Sequence, residues 1–305
     1  MKARKSPSQP RPELPIAVSN PDKIFWPAEG YTKLDLIEYY AAIFASLEPY
    51  VKDRMLTLER CPDGLEGECF YQKEMPNSMP AGTPTKRVQN AEGQRKFTNY
   101  VVGGSLETQL ALANLGCIAV HVMGSRARSP RQPDWVCFDI DPESGKFEDA
   151  ARAGLHVKEA LDSLKLVSFA KTSGSRGMHV LAPIRTGPDV SEVLSFAEAV
   201  VQRVAAAYPD HLTVEHSIAA RRGRVYLDPF RNGFGQTVVA PYSVRRRPHA
   251  PISTPLDWKA VAPTLDPSEF NLGNFANRRK RADPWVGLFA TRQSLKDAAR
   301  LLSRL

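Results

Sequence analysis

Asp134-Trp-Val-Cys-Phe-Asp-Ile-Asp-Pro142 is the stretch of this sequence that decides the fold. Its apolar residues at 136, 138 and 140 alternate with Cys137, Asp139 and Asp141. Successive side chains of a β-strand point to opposite faces, so one face of this segment would pack on a core and the other would carry both aspartates. The pattern therefore predicts a strand that presents two carboxylates on the same side of a sheet.

Two neighbouring carboxylates repel each other, and a bound cation would remove that repulsion. Hard divalent cations such as Mg²⁺ and Mn²⁺ prefer carboxylate oxygens. One interpretation of Asp139 and Asp141 is therefore a metal site at the edge of a sheet. The alternative is a solvated strand end that runs into a turn at Pro142.

A second segment of the same form is Arg224-Val-Tyr-Leu-Asp-Pro229, in which apolar strand residues precede Asp228 and a proline. A third carboxylate could complete a site for two metal ions, which stabilise the attacking and leaving oxygens in phosphoryl transfer. The competing interpretation is a turn aspartate before proline, which is common.

Ser173-Gly-Ser-Arg-Gly-Met-His179 is more specific. It lies between apolar segments at 166–170 and 178–184, which are predicted strands. Its glycines allow a tight turn whose amides can point at phosphate oxygens, and Arg176 adds a guanidinium suited to phosphate. A simple hairpin turn is the alternative, and the spacing of a Walker A loop is absent.

Ala240-Pro-Tyr-Ser-Val-Arg-Arg-Arg247 adds a basic cluster on a predicted strand, where alternation places Arg245 and Arg247 on one face. Three consecutive arginines are usually a solvated edge, but their position shortly after Asp228 favours phosphate binding. His121 stands alone among apolar residues, and taken alone it fits a structural histidine.

The remaining pattern is that of a mixed chain without the regular strand–helix alternation of a doubly wound fold. Residues 54–75 suggest a hairpin around a Pro-Asp-Gly turn, and 97–102 a further strand. Residues 76–96 are predicted as a surface loop, and 248–272 as irregular structure. Apolar spacing predicts helices at 33–48, with Thr32 as N-cap, and at 105–115, 147–165, 190–204 and 292–305.

Composition indicates the class of binding partner and the compartment of the protein. The chain has 305 residues and a formal net charge of +8, which favours nucleic acid, nucleotide or an anionic surface. The sequence contains no apolar run of the ~20 residues that a membrane span requires. Residues 1–14 read as a disordered basic arm rather than a secretory signal. The four cysteines form no C-x-x-C pair and are predicted to be reduced thiols of a cytoplasmic protein.

Taken in order, these segments resemble the archaeo-eukaryotic primase superfamily, and most closely the primase-polymerase domain of bacterial ATP-dependent DNA ligase D. Segments at 22–27, 60–64 and 69–73 agree, and the resemblance covers about residues 18–260. It implies an α+β, primase-like catalytic domain over 15–305, with a mixed, largely antiparallel sheet flanked by helices.

The resemblance also implies roles for individual residues. Asp139, Asp141 and Asp228 match the catalytic aspartates, which bind two divalent cations, Mn²⁺ or Mg²⁺. The nucleotide is expected to contact His121, Ser173, Ser175, Arg176, His179, Gln236, Arg245 and Arg247. DNA is expected to contact Arg60, Tyr71, Lys73 and Arg221.

One position departs from the family. Glu59 stands where the family has a basic residue that recognises a 5′-phosphate at a DNA end. Arg60 is adjacent, but on a strand it points to the opposite face. Lys73 and the basic loop at 86–96 are then the expected substitutes.

The implied activity is the addition of NTPs or dNTPs to a 3′-OH at DNA ends, gaps or recessed termini during bacterial non-homologous end joining, near the nucleoid. Ku and ligase or nuclease modules are the implied partners, and no membrane. The K-x-D-G string of a ligase is absent, so the sequence is expected to be an excised polymerase domain or a stand-alone relative.

Four other functions compete with this activity. Two are close to it, namely a stand-alone DNA primase and a gap-filling polymerase of another repair pathway. A D-x-D glycosyltransferase would have no evident need for Asp228 or the Ser-Gly turn. A non-catalytic DNA-end-binding module would gain nothing from three carboxylates, which repel DNA.

Overall fold

A computed structural model describes residues 13–89, 96–275 and 282–304. The predicted N-terminal arm lies outside these ranges except for its last two residues. The strands are β1 Ile24–Trp26, β2 Tyr31–Thr32, β3 Leu56–Arg60, β4 Phe70–Gln72, β5 Thr85–Gln89, β6 Phe97–Val101, β7 Cys117–Val122, β8 Trp135–Pro142, β9 Phe169–Thr172, β10 Met178–Pro183, β11 Leu212–Thr213, β12 Val225–Asp228, β13 Val238–Val239 and β14 Pro255–Leu256. The α-helices are α1 Lys33–Val51, α2 Leu106–Asn114, α3 Phe147–Ser163, α4 Val190–Ala207, α5 Ile218–Arg221 and α6 Leu295–Leu302.

Most strands belong to two sheets. A six-stranded sheet has the order β11-β12-β8-β10-β9-β14, and a four-stranded sheet the order β13-β7-β3-β4. Only the β11–β12 pair of these two sheets is parallel. The predicted α+β class with largely antiparallel pairing is confirmed, although the strands divide between sheets instead of forming one.

Strand β8 lies between the two hydrophobic cores. One face, from Val136 to Ile140, is buried in a core that also contains residues of α3 and α4. On the other face, Trp135 and Cys137 enter the core around the four-stranded sheet. Asp139 and Asp141 are the next residues of that face, and they are less buried. The two carboxylates therefore lie at the edge of the core around the four-stranded sheet.

Helices α1 to α4 begin within one residue of the predicted start, whereas α6 begins at Leu295, three residues later than predicted. Thr32 caps α1 through a capping box, in which its Oγ1 accepts from Asp35 N at 3.2 Å and its own N–H donates to the Asp35 carboxylate at 2.7 Å. Asp189 forms the same arrangement with Glu192 at the start of α4. In the described part of the chain, no helix is long and apolar enough to cross a membrane.

Two predictions of local structure are wrong. Part of the predicted loop at 76–96 is strand β5, which pairs with β6, while residues 90–95 lie outside the described ranges. Strand β5 alternates between exposed and half-buried positions and has little apolar content, so it lacks the usual signal. The predicted strand around Arg245 is absent, because Tyr242 adopts a left-handed φ of 64° and only an isolated bridge joins Val244 to Ile252.

Two smaller corrections concern segment boundaries. The strand predicted at 166–170 begins three residues later, at Phe169. The segment 248–272, predicted as irregular, contains the short edge strand β14.

The cysteine prediction is wrong for one pair. Cys61 and Cys69 form a disulfide across the turn between β3 and β4, where their Cα atoms lie 4.4 Å apart. The hairpin brings together two residues whose spacing in sequence matches no common motif. Cys117 and Cys137 are free and buried, as predicted.

Candidate active site

Four ionisable residues form one row across the six-stranded sheet. Asp228 lies opposite Asp139, Asp139 opposite His179, and His179 opposite Lys171, on strands β12, β8, β10 and β9. Directly opposed residues of antiparallel strands share a face of the sheet. The pairing register therefore brings together residues that are far apart in sequence.

A cleft of about 530 Å³, here called the acidic cleft, opens beside this row. It brings together most of the residues predicted from sequence. Those at its lining are Asp139, Asp141, Ser173, Ser175, Arg176, His179, Arg221, Asp228, Arg245 and Arg247.

Arginines pair with all three aspartates. Arg231 Nε lies 3.2 Å from a carboxylate oxygen of Asp139 and 3.2 Å from one of Asp228. Arg221, which is predicted to contact DNA, places Nη1 3.2 Å from Asp141 Oδ2. Sequence reasoning missed Arg231, although its position three residues after a candidate metal ligand was an available signal.

The pKa values of the residues in this row are shifted in different directions. Burial opposes ionisation of Asp139, but His179 and Arg231 outweigh it and hold its pKa below the usual value. Burial and the nearby charge of Asp139 raise the pKa of Asp228 despite Arg231. Burial, reinforced by Lys171, lowers the pKa of His179 to about 4. His179 is therefore neutral near pH 7, and its Nε2, 3.2 Å from Asp139 Oδ1, can donate a hydrogen bond.

The donor set fits a divalent cation. Asp139, Asp141 and Asp228 offer only carboxylate oxygens, which Mg²⁺ and Mn²⁺ prefer. Among the residues that the structure describes, no group of three His, Cys, Asp or Glu side chains is close enough to hold a metal ion as it stands. The guanidinium groups of Arg221 and Arg231 supply the positive charge around these carboxylates.

The Ser173–Gly177 turn is held by its own serine. Ser173 Oγ accepts from the amides of Ser175 and Gly177, each at 3.2 Å. Arg245 Nη1 donates to the Ser173 carbonyl at 2.8 Å, so the basic segment is fastened to the turn although it forms no strand. A Cβ on Gly177 would lie 2.1 Å from the Ile140 carbonyl oxygen, which means that only glycine fits against β8.

Two predicted residues, His121 and Tyr71, lie outside the acidic cleft, in a group around Glu59 on the four-stranded sheet. His121 Nε2 is 3.6 Å from Glu59 Oε2, and Tyr71 packs edge-on against the His121 ring at 5.4 Å. Arg246 Nε lies 3.3 Å from Glu59 Oε1. Burial opposes ionisation of Glu59, but His121 and the arginines lower its pKa. Sequence reasoning missed the role of Arg246 as the ion-pair partner of Glu59.

The other three predicted residues also lie away from the lining of the cleft. Arg60 is engaged within the protein, where it donates to the Leu115 carbonyl at 3.1 and 2.9 Å and to Gln72 at 2.8 Å. Lys73 Nζ donates to the Gly235 carbonyl at 3.4 Å. The next residue along the chain, Gln236, is exposed.

Lys171 ends the row and is fully buried. Its Nζ donates to Ser253 Oγ at 2.6 Å, and Ser253 Oγ donates to the Thr172 carbonyl at 2.9 Å. Burial lowers the pKa of Lys171 to about 7. A lysine directly after the apolar residues Phe169 and Ala170 was the sequence signal for it.

Lys171 should make the free energy of unfolding depend on pH. Its folded pKa, about 7, lies below its unfolded value of 10.5, so the unfolded state binds more protons between these limits. Stability from this group therefore rises with pH from about 7 to 10.5. We expect Lys171→Met to flatten that slope and to raise the free energy of unfolding at pH 7 by on the order of 2 kcal/mol. Urea unfolding at several pH values measures both effects.

The surface substitution Lys259→Met is the matched control, since Lys259 is exposed. It should leave the wild-type pH slope in place. An unchanged slope in Lys171→Met would show that Lys171 titrates normally in the folded protein.

Comparisons with known proteins agree with this geometry. The family model "LigD, primase-polymerase domain" matches residues 32–285. The multifunctional non-homologous end joining protein LigD of Pseudomonas aeruginosa is 28% identical over 304 residues, which cover 93% of this chain and 34% of that protein. The bifunctional non-homologous end joining protein LigD of Bacillus subtilis is 30% identical over 265 residues, which cover 85% of this chain and 42% of that protein.

A solved structure agrees as well. The polymerase domain of Mycobacterium tuberculosis ligase D, in complex with DNA, matches with a TM-score of 0.82 and 27% sequence identity. The match covers 92% of this chain and all of that domain.

The chain spans about a third of the length of the P. aeruginosa protein and about two fifths of that of the B. subtilis protein. LigD polymerase domains, the family whose model matches, are metal-dependent nucleotidyltransferases. Since the family model covers most of its residues, this chain belongs to the LigD primase-polymerase family and is a nucleotidyltransferase of the DNA polymerase class.

Proposed function

We propose that this protein extends the 3′-OH of a DNA end, gap or recessed terminus with NTPs or dNTPs during non-homologous end joining. The observation that carries the proposal is the convergence of three aspartates, from β8 and β12, beside the Ser173–Gly177 turn in one cleft. Carboxylates next to a turn that offers amides and arginines are what a nucleotidyl transfer needs.

Asp139, Asp141 and Asp228 would hold two divalent cations, Mn²⁺ or Mg²⁺. When bound, these ions lower the pKa of the attacking hydroxyl and neutralise charge on the phosphates. The protein contributes the orientation of the carboxylates. His179 holds Asp139 from one side, Arg231 joins Asp139 to Asp228, and Arg221 pairs with Asp141, so each carboxylate has a partner before any ligand binds.

The triphosphate would bind over the Ser173–Gly177 turn. Arg176, Arg245 and Arg247 line the same cleft and supply positive charge where the pyrophosphate leaves. His179 acts there as a neutral hydrogen-bond partner and not as a cation, because its pKa is lowered to about 4. Ser175 adds a hydroxyl at the lining, whereas His121 and Gln236 would need to reach the substrate from outside the cleft.

The DNA would lie across the four-stranded sheet next to the cleft. Tyr71 is 60% exposed, which leaves its ring free to stack on a template base. Lys73 follows it two residues later, just beyond the end of β4, and the solved polymerase domain that this chain resembles is in complex with DNA. Arg60 would support strand β3 through its bonds to Leu115 rather than touch the DNA.

The test is nucleotide incorporation. The protein is incubated with a labelled primer on a recessed duplex, Mn²⁺ or Mg²⁺, and each NTP and dNTP in turn. We expect addition of the templated nucleotide and complete loss on chelation with EDTA. Transfer of sugar from a nucleotide-sugar, or DNA binding without any incorporation, would contradict the proposal.

The Glu59 group bears on recognition of a 5′-phosphate. Glu59 forms an ion pair with Arg246, which reduces the positive charge that Arg246 can offer to a 5′-phosphate. We therefore expect wild type to discriminate little between gaps with a 5′-phosphate and gaps with a 5′-hydroxyl. Glu59→Gln should release Arg246 and create a several-fold preference for the phosphate, measured by binding to both gapped substrates. Lys73→Ala is the comparison variant. A strong wild-type preference that Lys73→Ala abolishes would make Lys73 the phosphate ligand instead.

A further inference from the structure

A second cleft, of about 600 Å³, lies at the other end of the β8–β10 ladder. Its lining includes Asp134, just before β8, and Pro183, the last residue of β10. Asp139 and His179 of the acidic cleft lie toward the opposite ends of the same two strands. This second cleft, here called the arginine cleft, takes no part in the proposed nucleotidyl transfer.

Four arginines line the arginine cleft, and Asp134 is the acidic residue among its lining. The negative charge of Asp134 is already neutralised by two ion pairs within the protein. Its Oδ1 is 2.5 Å from Arg54 Nη2 and its Oδ2 is 2.7 Å from Arg126 Nε. Because each carboxylate oxygen has its own guanidinium partner, Asp134 does not neutralise the other arginines of the cleft.

Aromatic rings hold two guanidinium groups, one in the lining of the arginine cleft and one behind it. Arg54 is fully buried and stacks 3.6 Å above the Trp135 ring. Arg126 lies 4.4 Å from the Phe289 ring, and Phe289 stacks on Trp135. Guanidinium groups held by aromatic faces and by a carboxylate keep their donors in fixed positions.

The rim carries three exposed arginines: Arg128, Arg185 and Arg292. Arg185 Nε donates to the Arg292 carbonyl at 3.2 Å, which places these two residues side by side. Arg128 pairs with Asp53 at 2.8 Å, but its side chain remains 74% exposed. Thr186 and Thr291 add hydroxyl groups to the lining. Arginine forks and hydroxyls are the usual donors to phosphate oxygens.

We propose that the arginine cleft binds the backbone phosphates of the nucleic-acid strand whose end lies in the acidic cleft. Asp134 precedes Asp139 by five residues, which is about 17 Å along an extended strand, and Trp135 and Cys137 between them are buried in the core around the four-stranded sheet. A nucleic-acid strand must pass around that core, so it needs more than the ~5 nucleotides that the direct distance would take at 3.4 Å each. Exposed arginines along a rim suit a continuous backbone better than one compact polyphosphate, for which buried donors would converge on a single point.

The proposal rests on the proposed function, since it places a DNA end in the acidic cleft. Its test therefore measures equilibrium binding of a recessed duplex, by fluorescence anisotropy over a range of salt concentrations, and not nucleotide addition. Failure of wild type to incorporate any nucleotide would refute the proposed function. The salt dependence reports on the arginine cleft separately.

The variant is Arg128→Gln/Arg185→Gln/Arg292→Gln, which removes three exposed charges and leaves the buried Arg54–Asp134 pair intact. We expect affinity for the duplex to fall on the order of tenfold at low salt, and the slope of log K against log salt to become shallower by about 2 to 3. Arg292→Gln alone should reduce the slope by about 1, which keeps the test decisive if the triple variant folds poorly.

The matched control is Arg152→Gln/Arg203→Gln/Arg300→Gln, which removes the same charge from α3, α4 and α6 on other parts of the surface. It should keep the wild-type slope. Equal slopes in both triple variants would overturn the proposal, because the effect would then be one of net charge.

Titration with inorganic tripolyphosphate tests whether the arginine cleft binds a free polyphosphate rather than a nucleic-acid backbone. Tripolyphosphate binding that the cleft variant loses, with DNA affinity unchanged, would also overturn it.

Discussion

Asp139→Asn should abolish nucleotide addition. Asp139 stands at the centre of the row, where it contacts both His179 and Arg231. Its loss removes a carboxylate from the proposed metal site and the partner that orients His179. Metal stabilisation of transition-state charge amounts to several kcal/mol, so we expect the rate of incorporation to fall by a factor of about a thousand or more. Single-turnover extension of a labelled primer measures it.

The matched control for this prediction is Asp162→Asn on the exposed side of α3, where the carboxylate pairs with Lys158. It should retain the wild-type rate. Asp139→Asn should also bind the recessed duplex at least as tightly as wild type, since it removes a negative charge from the cleft. Extension by Asp139→Asn near the wild-type rate would remove Asp139 from the catalytic machinery.

Gly177→Ala should impair both stability and activity. The added methyl group would sit 2.1 Å from the Ile140 carbonyl oxygen, so the turn must move away from β8. That shift strains the Ser173 hydrogen bonds to the turn amides. We expect a loss of about 3 kcal/mol in the free energy of unfolding and, because a displacement of 1 Å is costly, a drop of about a hundredfold in incorporation. Urea unfolding and primer extension check the two parts.

Gly124→Ala, in the segment after β7, is the comparison for this substitution. Its new methyl group would lie 3.3 Å from Trp135 Nε1 and 3.6 Å from the Pro133 side chain, so a shift of a few tenths of an ångström accommodates it. The effect should be much smaller on both measurements. If Gly177→Ala behaves like Gly124→Ala, the turn tolerates displacement and its placement against β8 does not matter for the reaction.

Much of the fold could be predicted because its helices and central strands carry strong local patterns. The alternation in Val136–Ile140 and the Thr32 cap are examples, since each depends on residues close in sequence. Strand β5 and the disulfide between Cys61 and Cys69 could not be predicted in this way. Both depend on a partner segment that the local pattern does not reveal.

The candidate site divides in the same manner. The three aspartates and the Ser173 turn can be recognised from the composition and spacing of the sequence, and the structure brings them to one cleft. The ion pair of Arg246 with Glu59 has no such signal, because β3 and the segment after Tyr242 meet only in three dimensions. His121 is assigned to the nucleotide by resemblance, and that assignment stays a prediction; the structure shows its contact with Glu59.

The row of four ionisable residues across the six-stranded sheet has a consequence for how the protein folds to its active form. The row consists of Asp228, Asp139, His179 and Lys171. Its members come from four strands, and Asp139 pairs with Asp228 across a long stretch of intervening chain. Closing such a distance is slow and entropically costly, so we expect β12 to dock late. A slip of one residue in any of the three ladders would turn a member of the row to the wrong face. Enzymatic activity should therefore reappear during refolding only after the helices have formed, which makes incorporation a reporter of complete assembly.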